Sequence, residues 1–129
     1  MSHIPNISDA EWEVMKVLWT RSPRSASEII QALEHHSEWK PKTVRTLLNR
    51  LVQKQAAAFS QEGKVYAYYP LVSEEDCVRT ETRFFLNRIY GGSFKPMLAC
   101  FLRETQLTAE EIGELRQILD DKSFEPAAR

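Results

Sequence analysis

The amino-acid sequence predicts a mainly α-helical protein with one small β-hairpin, and three observations predict it. Ser or Thr stands three residues ahead of Glu or Asp at Ser8/Glu11, Ser25/Glu28, Ser73/Asp76 and Thr108/Glu111, the spacing at which a side chain can satisfy free N–H groups at a helix start. Behind these pairs apolar residues recur at intervals of three and four, as one face of a helix requires. One segment, KVYAYY at 64–69, follows a glycine turn and is rich in β-branched and aromatic residues, which suits a strand.

The elements follow in order. Ser8 opens a first helix carrying Trp12, Met15, Leu18 and Trp19 to about Thr20, and Ser22-Pro23 breaks it. Ser25 opens a second, with Ile29, Ile30 and Leu33, running to about His35. Pro41 suits the first position of a third, where its missing N–H costs nothing. In this helix Val44, Leu47, Leu48, Leu51 and Val52 form an apolar stripe, and Lys42, Thr43, Arg45, Thr46, Asn49 and Arg50 lie away from it. Residues 56–60 and 64–69 then form a two-stranded hairpin around the turn Gln61-Glu62-Gly63, the alanines 56–58 leaving its first strand weak or helical. Pro70 ends the hairpin. A fourth helix starts at Ser73 and stops at Gly91-Gly92, a short apolar helix covers 94–104, and Thr108 caps a last one. This organisation predicts a domain over 1–72, a helical domain over 73–122 and a flexible tail over 123–129.

At 129 residues the chain has room for one ordinary domain or two small ones. Its 43% hydrophobic and 27% charged residues are those of a globular chain. No stretch is apolar enough to span a membrane, and residues 1–10 lack the apolar core of a secretory signal. Cys77 and Cys100 form no metal-ligand spacing, so a reducing, cytoplasmic setting is expected, with no metal and no cofactor. The net charge is −1, but residues 40–54 contain Lys40, Lys42, Arg45, Arg50 and Lys54 and no acid. A basic face on a near-neutral chain results.

No catalytic machinery is visible. The adjacent pair His35-His36 diverges on a helix rather than converging, and no phosphate loop, metalloprotease motif or nucleophile elbow is present. Three helices and a hairpin in about 70 residues, with a basic third helix, is the order of a winged helix-turn-helix, whose third helix enters the DNA major groove. Lys42 and Arg45 offer donors to guanine edges or phosphates, Thr43 and Thr46 reach bases or backbone, and Lys64 can hold a phosphate. The alternative is a winged-helix protein-interaction module without an operator.

The strings AEWEVMKVLW, WKPKTVRTLLNRLVQK and KVYAYYPLV, with RIYGGSF and LTAEEIGELRQIL further on, resemble the penicillinase repressor family of BlaI/MecI/CopY-type transcriptional repressors, from about Ile7 to Lys122. The resemblance implies a homodimer on a double-stranded palindromic operator that represses β-lactam resistance genes. It implies DNA contacts at Lys42, Thr43, Arg45 and Thr46, to which Arg50 on the same polar face is added, and at Lys64 and Tyr66 on the wing. It also implies relief by an inducer-activated protease at the position of Cys100 and Phe101, where the family's Asn-Phe bond keeps its Phe and lacks its Asn. A metal-handling regulon is the other branch, but the tail DKSFEPAAR lacks that branch's cysteine-rich motif. Gln55 stands where the family usually has Gly.

Overall fold

A computed structural model describes residues 4–35 and 38–123. The chain divides into two compact units, Met1–Thr82 and Arg83–Arg129.

The first unit is a winged helix-turn-helix. Helix α1 (Asp9–Thr20) has its capping box complete in both directions. Val14, Met15 and Leu18 are sealed from solvent, as helical spacing places them on one face. Strand β1 is only Arg24–Ser25, and Ser25 also caps α2 (Ala26–Ala32) through a second complete box with Glu28. Helix α3 (Pro41–Gln53) starts on Pro41 and buries Val44, Leu47, Leu48 and Leu51 against α1 and α2. The wing is β2 (Ala57–Glu62) paired antiparallel with β3 (Val65–Pro70), and β1 adds to the other edge of β3. Trp19 Nε1 donates to the Val72 carbonyl at 2.9 Å, fastening the end of α1 to the chain leaving the wing. Helix α4 (Glu74–Tyr90) begins in this unit, and its Cys77 is buried in the same apolar core.

The second unit holds the rest of α4 with α5 (Phe94–Glu104) and α6 (Ala109–Ser123). Gly91, at a positive φ of 59°, takes the left-handed turn that ends α4, and the Gly92 N–H caps the Leu86 carbonyl. Among the described residues of this unit only Met97 is buried. Phe84, Ile89, Phe94, Phe101, Ile118 and Leu119 are each at least half exposed. An apolar groove of about 400 Å³ lies between α5 and α6, lined by Leu102, Leu107, Ile112, Leu115 and Leu119. No helix among the described residues is long and apolar enough to cross a membrane.

Local departures from expectation have local causes. Helix α2 stops at Ala32 instead of about His35, because Leu33 leaves helical geometry (φ −101°, ψ 13°); His36 lies outside the described residues, as does 124–129 of the expected tail. The hairpin is the larger part of a three-stranded sheet, since β1 pairs Arg24 with Tyr68 and Ser25 with Ala67. Its turn is Gly63-Lys64, with Gln61 and Glu62 inside β2, so Lys64 stands at the tip. The alanines do not weaken β2: Ala56 and Ala57 are buried, where small side chains let the strand start pack on the core. The first compact unit, the head, runs to Thr82, because Cys77 packing carries the first turns of α4 into its core.

Candidate nucleic-acid interface

Helix α3 places Lys42, Thr43, Arg45, Thr46 and Arg50 on its solvent side, all exposed, directly opposite the buried stripe. At about 100° per residue, Lys42, Arg45, Thr46 and Asn49 share one arc of that surface, with Thr43 and Arg50 on its flank. The Thr46 hydroxyl donates to the Lys42 carbonyl at 3.0 Å. Its hydrogen is therefore committed within the helix, and Thr46 faces outward as an acceptor and a methyl group. Asn49 was not singled out from the sequence, although the 3.6-residue period puts it in the centre of the arc; its amide is suited to adenine edges.

The wing closes on this surface. Arg45 lines a cleft of about 280 Å³ together with Lys64, Val65 and Tyr66 of the wing, buried Tyr68, and Ser25, Ala26 and Ser27 of the strand and helix before. No acidic side chain is among those lining it. Two cations from elements nineteen positions apart thus face one concave surface with hydroxyls around it, an arrangement suited to a phosphate group. The sequence marks Ser25 only as a helix cap and does not point to Ser27, because their nearness to Arg45 and Lys64 depends on β1 pairing with β3.

The last basic residue of the run, Lys54 at the C-cap of α3, is not at the interface. Lys54 Nζ donates to Glu11 Oε1 at 2.5 Å and to the Asn6 carbonyl at 2.7 Å. Glu11 is 1% exposed and also accepts from the Ser8 N–H, so one carboxylate closes the α1 cap and binds the end of α3. Burial pushes its pKa up, but the Lys54 ammonium and the Ser8 N–H outweigh that and hold it below the ordinary 4.5. The basic face read from the sequence thus loses Lys54 to an ion pair with the buried Glu11.

The end of α3 carries a second special residue. Ala56 N–H bonds to the Leu51 carbonyl and Gln55 N–H to Val52, with Gln55 in the left-handed region at φ 67°. This is a Schellman ending with glutamine at the position that favours glycine.

In the second unit, the bond between Cys100 and Phe101 lies inside α5. Phe101 is exposed, whereas Cys100 is half-buried, and its thiol beside Tyr90 holds that phenol above the ordinary value of 10.

The family model described as Penicillinase repressor matches residues 7–121 of this chain. The chain belongs to the penicillinase repressor family. It is 46% identical over 121 residues to the penicillinase repressor of Bacillus licheniformis, covering 94% of each chain. It is 39% identical over 116 residues to the methicillin resistance regulatory protein MecI of Staphylococcus aureus (strain N315), covering 90% of this chain and 94% of MecI. Among solved structures, the monomeric form of Bacillus licheniformis BlaI in complex with the blaP half-operator is 47% identical, with a TM-score of 0.51, over 59% of this chain and 93% of that one. Family membership places the chain among transcriptional repressors rather than catalysts.

Proposed function

We propose that this chain is a homodimeric repressor that binds a palindromic operator and controls β-lactam resistance genes. The observation that carries the reading is the cleft in which Arg45 of α3 and Lys64 of the wing converge without an opposing carboxylate, on a fold shared with a repressor solved on its half-operator. Lys42, Thr43, Thr46 and Arg50 complete the surface that enters the major groove, and Tyr66 joins Lys64 on the flanking backbone.

The homodimer is supported by the second unit's exposed phenylalanines, isoleucines and leucines, which exceed what so few residues can cover alone. A second copy related by a twofold axis covers them and presents two recognition helices to two half-sites. Relief of repression follows from cutting this unit. An inducer-activated protease acting between Cys100 and Phe101 divides α5 and abolishes the paired engagement that gives the dimer its avidity. Because the bond is helical, α5 has to open locally before a protease can take it. Mass spectrometry of the repressor from β-lactam-treated cells checks this step: fragments ending at Cys100 support it, and an intact chain released from DNA excludes it.

The operator reading is tested by fluorescence anisotropy on palindromic duplexes over a salt series. Log affinity that falls steeply and linearly with log salt, with tighter binding to one palindrome than to scrambled DNA, is the expected result. Salt-independent binding overturns it in favour of a protein-interaction module.

A further inference from the structure

Three aromatic rings on one face of the wing form a contiguous row. Phe59 lies directly across from Tyr68, and Gln61 across from Tyr66, so Phe59 reaches Tyr66 diagonally on the same side of the ladder. The Phe59 and Tyr66 rings are nearly parallel, 9° apart with centroids at 4.7 Å; Phe59 and Tyr68 meet at 5.6 Å and 56°. Tyr68 is anchored in the core, while Phe59 and Tyr66 are 41% and 42% exposed. Phe59 thus touches both the exposed Tyr66 and the core-anchored Tyr68, and links the one to the other. Tyr66 and Tyr68 line the cleft with Arg45 and Lys64, and Phe59 does not.

We propose that Phe59 is a positioning residue for DNA binding: its ring, stacked on Tyr66, holds that phenol in the wall of the Arg45–Lys64 cleft, so that the Tyr66 hydroxyl meets a backbone phosphate. A tyrosine near the tip of a two-stranded ribbon otherwise samples several rotamers, and immobilising it on binding costs affinity. A parallel ring underneath removes much of that freedom in advance. The proposal rests on the reading that Tyr66 faces DNA, and the test separates the two.

The probe is a labelled mixed-sequence duplex at low salt, because a phosphate contact is independent of sequence. Tyr66→Phe is expected to weaken binding by about three- to tenfold, the range for one ordinary solvent-accessible hydrogen bond. Phe59→Ala should weaken it by a similar factor, Phe59→Tyr should restore it, and Phe59→Ala in the Tyr66→Phe background should add nothing. Phe59→Leu keeps the contact with Tyr68 but lacks a flat face, so it should bind like Phe59→Ala while melting like the parent. If Tyr66→Phe has no effect, Tyr66 does not contact DNA and the proposal falls with that reading. If Tyr66→Phe weakens binding but the Phe59 variants do not, or if the two losses simply add, Phe59 does not act through Tyr66 and the proposal alone is overturned.

Discussion

Glu11 and Gln55 show how much a single side chain or backbone angle decides in the head. Lys54 retains about a third of its side-chain exposure, whereas Glu11 has almost none. Lys54→Ala would leave a buried carboxylate with only its cap, and should cost about 2–3 kcal/mol, below the roughly 3–5 kcal/mol of a fully buried pair. The acid limb follows from the direction of the Glu11 shift. Its folded value is depressed, so its contribution is complete above about 4.5 and is lost as pH falls through the lower folded value. Urea melts from pH 7 to pH 3 should show this loss in the parent and a flatter profile in Glu11→Gln, which starts from lower stability. At Gln55 the left-handed angle strains a residue with a Cβ. Gln55→Gly should raise stability by about 0.5–1 kcal/mol and lift the melting temperature by a few degrees, as calorimetry can read.

At the scale of elements, the proposed function divides recognition between α3 and the wing. Arg45 stands on the outward arc of α3 as well as at the cleft, and with its fork on a guanine edge Arg45→Ala should cost roughly 1–3 kcal/mol per half-site and relax discrimination at one operator position. Lys64→Ala at the wing tip should instead weaken all duplexes alike and reduce the salt slope by about two, one for each protomer of a dimer. A panel of single-base operator variants titrated at several salt concentrations distinguishes these outcomes. What was legible in the sequence was what neighbours decide. The Ser8/Glu11, Ser25/Glu28 and Thr108/Glu111 boxes each join residues three positions apart, and all three form. Pro41 and the stripe from Val44 to Leu51 likewise speak through local geometry. Strand β1 was not legible, because two residues carry no period and their pairing needs Tyr68 and Ala67 more than forty positions away. The same distance hid the fate of Lys54, which in the sequence is one more cation in a basic run. The cleft combines residues from β1, α2, α3 and the wing, so Lys64 was recognisable by charge alone while Ser27 was not.

At the scale of the whole molecule, the place of Cys77 decides where the chain can be divided. A fragment of residues 1–82 keeps Cys77 in its core and should fold, melt cooperatively and bind a half-site weakly, because the second engagement is lost. A fragment of 1–72 lacks that packing and should melt several degrees lower, which circular dichroism will measure. A fragment of 1–82 that bound a full palindrome as tightly as the intact chain would contradict the dimer reading. The tie between Lys54 and Glu11 has a further consequence, in genetics. On the proposed function, a screen for mutants that fail to repress should return Lys42, Arg45 and Lys54 together, as three positions of one basic run with one phenotype. Lys54 mutants should nonetheless be distinct: repression in them should return on shifting to a lower growth temperature, or with second-site changes that compact the head. Alleles at Arg45, whose side chain faces the cleft and not the core, should stay defective at every temperature.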